Sequence, residues 1–165
     1  MAESNVRSVL HMLSELLTEE KIRFSSEVLD WRQAVTQVAE PLLTAGDITP
    51  GYVDAMIDSI AAGGTYINLG YGIALAHARP EAGAVRTAIS MLRLTERPAP
   101  LLDLPEHAVD LYFCFAAADT AAHSRAMASL ARILSDTETR EALRDARSAA
   151  DVTKLITRFE ERASK

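Results

Sequence analysis

The chain has 165 residues, 48% of them hydrophobic and 24% charged, enough apolar material for one domain with a packed core. Seventeen basic against twenty-three acidic residues give a formal net charge of −6, which argues against a general nucleic-acid binder. Seven Gly and six Pro exclude a disordered or collagen-like chain, and the single cysteine, Cys114, excludes an internal disulfide or a multi-cysteine metal site.

Residues 1–21 mix acids with Arg7 and Lys21 and lack an apolar signal region, and no later stretch is long and apolar enough to span a bilayer. The expectation is a cytoplasmic chain. Val6, Val9, Leu10, Leu13, Leu16 and Leu17 recur at three- and four-residue steps and predict an amphipathic first helix. Ile22 to Phe24 predicts a short strand. Asp30 predicts an N-cap, followed by a helical face of Trp31, Ala34, Val35, Val38, Leu42 and Leu43; Pro41 is expected to kink or shorten this helix, and Gly46 to stop it. Thr49-Pro50 predicts the next helix start, with Val53, Met56, Ile57 and Ile60 facing inward and Gly63-Gly64 ending it.

The pattern then changes. Segments 65–69, 72–76, 87–94 and 109–117 are short, apolar and bounded by Gly, Pro and charged turns, and predict four strands. Asp119 is expected to cap a helix with Met127, Leu130, Ala131 and Leu134 facing inward. Asp136 and Asp151 are expected to cap two more, the last using Val152, Leu155, Ile156 and Phe159. Helices, then strands, then helices predict an α/β fold: a mixed β-sheet of about four to five strands sandwiched between helices on both faces. Residues 1–165 read as a single domain.

Four histidines are candidates for chemistry. His11 on the first helix and His107 in a loop read as ordinary surface or half-buried residues. His77 closes an apolar strand and opens into a turn made by Arg79, Pro80 and Gly83, so its imidazole is expected at the rim of the domain. His123 lies about one turn inside the helix that follows strand 109–117. Strand ends feeding helix starts are where open α/β sheets place their sites, and helix N-termini favour anions. From spacing alone, a structural and a reactive role stay open for both. Cys114, inside Leu111-Tyr112-Phe113-Cys114-Phe115, reads as a buried structural thiol. No metal site is visible, and no cofactor is expected.

Three pieces carry a resemblance: Gly51-Tyr52-Val53-Asp54-Ala55-Met56, Gly72-Ile73-Ala74-Leu75-Ala76-His77-Ala78-Arg79-Pro80-Glu81, and Ala118-Asp119-Thr120-Ala121-Ala122-His123. In collinear order over about residues 10–148, they resemble the EIIA domain of the fructose–mannitol family of the bacterial phosphotransferase system. The helix over 151–163 follows this core. The continuation through Gly83 and Thr87-Ala88-Ile89-Ser90 is most similar to the ascorbate-type branch.

The resemblance implies that His77 accepts a phosphoryl group from the phosphocarrier HPr, as a tele-phosphohistidine. It implies transfer onward to a cysteine of an EIIB domain, which serves a membrane EIIC. His123 matches the second histidine and is expected to steady the phosphoryl oxygens. Arg79 is the next candidate phosphate ligand, with Thr87 and Tyr71 as lesser hydrogen-bond donors. A homodimer is expected from family behaviour alone. The sequence departs from the family in three places: Ala76 stands where a proline often precedes the acceptor, no basic residue occurs in Ile57-Asp58-Ser59-Ile60-Ala61, and Tyr71 stands where mannitol-type relatives carry an acid. The rival function is a regulatory module of the same fold, whose histidine phosphorylation is sensed by a partner protein. The relay reading requires the rings of His77 and His123 to converge within about a phosphoryl group's width.

Overall fold

A computed structural model of the chain describes residues 12–63 and 68–163. Its centre is one five-stranded sheet, formed by β1 (Ile22–Ser25), β2 (Asn68–Gly70), β3 (Ile73–Ala76), β4 (Ala88–Leu94) and β5 (Leu111–Ala116) in the spatial order β1-β4-β5-β3-β2. The sheet is mixed: β1 runs parallel to β4 and β3 parallel to β5, whereas β4–β5 and β2–β3 are antiparallel.

Side chains alternate across a strand, so the central strands, apolar on both faces, demand cover on both. Ala74, Ala76, Leu92, Tyr112 and Cys114 pack against α2 (Trp31–Thr44) and α3 (Pro50–Gly63). Ile73, Leu75, Ile89, Met91, Phe113 and Phe115 pack against a second layer of α1 (Met12–Leu16), α4 (Thr120–Ser135), α5 (Thr137–Asp145) and α6 (Ala149–Ala163). This is the expected sheet between two helical layers.

Helix starts follow the sequence signals closely. The carboxylates of Asp30, Asp119 and Asp136 accept from the backbone N–H groups of Gln33, Ala122 and Thr139, satisfying donors that a helix leaves unpaired. Asp151 differs from its expected role. The hydroxyl of Ser148 accepts from the Asp151 N–H, and the Asp151 carboxylate accepts from the Arg147 backbone N–H, so α6 begins at Ala149. Pro41 does not shorten α2, which continues through it to Thr44; the helix gives up the one hydrogen bond to the Gln37 carbonyl and is held by its buried face. The inward face of α4 includes Ile133 and excludes Ala131, which is exposed, because Ala126, Leu130 and Ile133 share one stripe at helical spacing.

Of the predicted first helix, Val6, Val9 and Leu10 lie outside the described residues, as do His11 and the 65–67 part of the predicted strand 65–69. Leu13 and Leu17 are buried as expected. Glu160 was not anticipated as a core residue. It is 2% exposed, and its carboxylate accepts from the Ser14 N–H at 2.9 Å and the Ser14 hydroxyl at 2.6 Å, clasping α6 to α1. Among the described residues no helix is long and apolar enough to cross a membrane.

The segment between β3 and β4 is held by backbone geometry. Residues Pro80–Ala82 form a single 3₁₀ turn, closed by Gly83 at φ +138°, and Gly83 lends its carbonyl to the Thr49 N–H. A Cβ on Gly83 would stand 2.1 Å from Thr49 Oγ1 and 3.2 Å from the Tyr52 nitrogen. At Gly51 the nearest atoms would be 3.7 Å away. Gly83→Ala is therefore expected to lower the unfolding free energy by about 1–3 kcal/mol. Gly51→Ala, in the first turn of α3, should be neutral or stabilising by up to ~1 kcal/mol. Urea unfolding midpoints of the two variants check the contrast.

Candidate functional site

Because β3 and β5 are parallel neighbours, their C-terminal ends lie side by side. β3 ends at Ala76, immediately before His77; β5 ends at Ala116, and a short turn leads into α4 at Thr120. His77 continues the alternation of Ile73 and Leu75 and so falls on the side covered by α4. There its ring meets His123, with centroids 5.8 Å apart and planes inclined at 53°. His123 is seated in turn on the ring of Phe115, at 5.2 Å between centroids. Both histidines are half-buried, and both line a cleft of about 390 Å³ shared with Arg79, Pro80, Ser59 and Thr120.

The tautomer of His77 follows from one contact. Its Nδ1 lies 3.3 Å from the Leu75 carbonyl oxygen. A carbonyl only accepts, so Nδ1 carries the hydrogen and the neutral ring keeps its lone pair on Nε2. Burial holds the imidazole below its ordinary pKa; the Leu75 carbonyl opposes this and the neighbouring His123 adds to it. The result is a neutral ring with one nucleophilic nitrogen. Among the described residues no cluster of three or more His, Cys, Asp or Glu could hold a metal ion.

The chain is similar to known proteins along most of its length. Residues 15–159 match the family described as "Phosphoenolpyruvate-dependent sugar phosphotransferase system, EIIA 2". The chain belongs to this family. The mannitol-specific cryptic phosphotransferase enzyme IIA component of Escherichia coli (strain K12) is 32% identical over 147 residues, spanning 88% of this chain and 98% of that protein. The ascorbate-specific PTS system EIIA component of the same strain is 30% identical over 148 residues, spanning 88% and 96%. The solution structure of the mannitol-specific cryptic enzyme IIA from E. coli aligns with a TM-score of 0.81 at 30% identity, over 88% of this chain and 98% of the other. The fold is also that of enzyme IIAMTL in its complex with phosphorylated enzyme IIBMTL from E. coli, at a TM-score of 0.74 and 24% identity over 86% and 99% of the two chains. The protein is an EIIA phosphotransferase component.

Within this EIIA the other candidates sort by position. Arg79 lines the cleft and is exposed, and its guanidinium forms no ion pair among the described residues. The Thr87 hydroxyl accepts the Ala118 N–H at 3.1 Å, which engages it with the turn between β5 and α4. Tyr71 is at the opposite end of β3, in the left-handed region at φ 58°, with the Arg140 guanidinium 3.7 Å from its ring centroid. Cys114 is fully buried beside Met56, and burial pushes its thiol up to about 12.

Sequence reasoning missed three residues here. Thr120, first in α4, was legible as the residue after a cap. Ser59 lies between Asp58 and Ile60, where a small serine gives no local sign of a site. Tyr52 is fully buried, yet its hydroxyl reaches the backbone of both strand ends: it donates to the Phe115 carbonyl at 2.7 Å and accepts from the Ala78 N–H at 3.0 Å.

The depressed pKa of His77 has a definite sign. The unfolded chain takes up this proton more readily than the folded one, so the stability linked to His77 is complete above pH 6.5 and is lost as pH falls below it. Titration of the His77 ring by NMR is expected to show a midpoint below 6.5.

Proposed function

We propose that the chain is a cytoplasmic phosphohistidine relay. It takes a phosphoryl group from phospho-HPr on Nε2 of His77 and passes it to a cysteine of an EIIB partner. Through a membrane EIIC, this transfer drives uptake and phosphorylation of an ascorbate- or mannitol/fructose-like sugar. The observation that carries the reading is the pair of facing rings, with the Nε2 lone pair of a neutral His77 in an open cleft.

In the first step the Nε2 lone pair forms a bond to phosphorus as the donor's bond to phosphorus breaks. Positive charge develops on the His77 ring, and the Leu75 carbonyl, accepting from Nδ1–H, steadies it. In the second step a partner thiolate forms the sulfur–phosphorus bond, the Nε2–phosphorus bond breaks, and His77 returns to its neutral state. Splitting one transfer into two through a labile phosphoramidate is nucleophilic catalysis. The transition state is loose, with charge spread over three oxygens, so alignment and hydrogen-bond donation supply most of the rate. His123 donates to one oxygen and the Arg79 fork to others. The phosphorylated IIB partner named for the E. coli IIAMTL complex supports EIIB as the acceptor.

The test is incubation with phosphoenolpyruvate, its kinase EI and HPr, followed by intact mass and then by addition of a purified EIIB domain. The wild-type chain is expected to gain one acid-labile phosphoryl group and to lose it to the EIIB cysteine. His77→Ala should gain none, and labelling of this variant as fast as wild type would overturn the reading. His123→Ala is expected to label about 10²–10³-fold more slowly, the usual cost of one lost transition-state donor. A phosphorylated chain that no EIIB cysteine discharges would favour the regulatory role.

A further inference from the structure

Two histidines on different elements keep a fixed separation only if the strand end bearing one is tied to the strand end leading to the other. The backbone pairing of β3 with β5 stops at Ala76 and Cys114, one residue short of His77. Beyond that point the two chains part, one into the 3₁₀ turn at Pro80 and the other toward α4. The Tyr52 hydroxyl bridges them there. It accepts from the N–H of Ala78, the residue after His77, and its proton goes to the carbonyl of Phe115, whose ring supports His123. The Ala78 carbonyl, 3.1 Å away, is the longer alternative acceptor for the same proton.

We propose that Tyr52 is a positioning residue for phosphoryl transfer: one buried hydroxyl fixes the spacing and tilt of the His77–His123 pair by joining the two backbones that carry it. This rests on the relay reading above and adds the part that sets its geometry. The position suits the task. Tyr52 sits in the first turns of α3, fully buried, so its phenol ring is wedged and its hydroxyl has little freedom. Burial pushes its ionisation up to about 12, so the hydroxyl keeps its proton throughout the physiological range and donates at all times. Its effect on His77 is indirect. With Ala78 anchored, the backbone dihedrals around residue 77 are set, and the Nδ1–H···O=C contact to Leu75 that selects the Nε2 lone pair follows. A missing hydroxyl would leave one half-buried N–H and one buried carbonyl to find other partners, which strand ends achieve by shifting.

The test compares Tyr52→Phe with Tyr112→Phe. Tyr112 is also fully buried on the α2–α3 side, and its hydroxyl bonds the Ala99 carbonyl, away from the histidines. Both variants lose one buried hydroxyl. Single-turnover labelling by phospho-HPr is expected to fall about tenfold for Tyr52→Phe, with its HPr concentration dependence unchanged, and to hold at the wild-type rate for Tyr112→Phe. Equal losses in the two variants, or none in Tyr52→Phe, would overturn the proposal. Two readouts need no phosphoryl transfer. Imidazole ¹⁵N spectra should show His77 as the Nδ1–H tautomer in wild type and as a mixture in Tyr52→Phe; identical spectra would overturn it. In the unaltered chain, the Ala78 amide should exchange slowly with solvent, and exchange at the rate of an open loop would do the same. If wild type takes up no phosphoryl group at all, the relay reading falls, while the ring spectra still decide the role of Tyr52.

Discussion

The register of β3 against β5 is the constraint on which the site depends. The pairs run from Ile73 with Leu111 to Ala76 with Cys114, all in parallel. Strand side chains alternate between faces, so a slip of one residue would turn Leu75 and His77 toward α2 and α3 and bury Ala74 and Ala76 under α4. What prevents the slip is the mismatch in size between the two layers. Small Ala74 and Ala76 fit beneath α2 and α3, where Trp31, Tyr52 and Tyr112 occupy the space, whereas Ile73 and Leu75 fill the other layer with Phe113 and Phe115. The partition of apolar volume between two faces thus decides which way one imidazole points.

A second feature bears on the departure at Ala76. A proline at this position would restrict the backbone covalently; this chain, with Ala76 there, restricts it with contacts distributed along the loop. The Tyr52 hydroxyl holds Ala78, the 3₁₀ turn holds Pro80–Ala82, and Gly83 bonds Thr49. Further on, Asp47 gathers the loop's exit. Its carbonyl accepts from Val85 and Arg86, and its carboxylate meets Arg86 Nε at 2.9 Å and Lys21 Nζ at 3.2 Å. Lys21 immediately precedes β1, so the loop that begins with His77 is anchored to the far edge of the sheet.

Local patterns carried much of this in advance. Asp30, Asp119 and Asp136 announced their helices because capping depends on a few adjacent residues, and the apolar runs announced β1, β3, β4 and β5. His77 and His123 were visible as candidates because a strand end and a helix start can each be read from their neighbours. Their proximity was not readable from pattern, since strand order is set by packing between distant segments; the family resemblance supplied that expectation. Tyr52 and Glu160 escaped for a related reason. Each sits at an apolar position of its helix, where a tyrosine or a glutamate reads as an interruption of the stripe until its partners, 26 to 146 residues away, are known. Ala131 stands one position off the buried stripe, and Asp151 three beyond Ser148, the residue before α6, because neither a stripe nor a cap is fixed until its partner surface is known.

The burial of Cys114 has a practical consequence. A thiol that ionises only near pH 12, sealed between Met56 and Ser90 beneath α2 and α3, offers no thiolate to an alkylating reagent at neutral pH. In a reconstituted mixture, iodoacetamide would silence a reactive sulfur on another protein and leave this chain untouched. The two halves of a nitrogen-to-sulfur exchange can then be stopped separately, the sulfur half by a reagent and the nitrogen half by substitution.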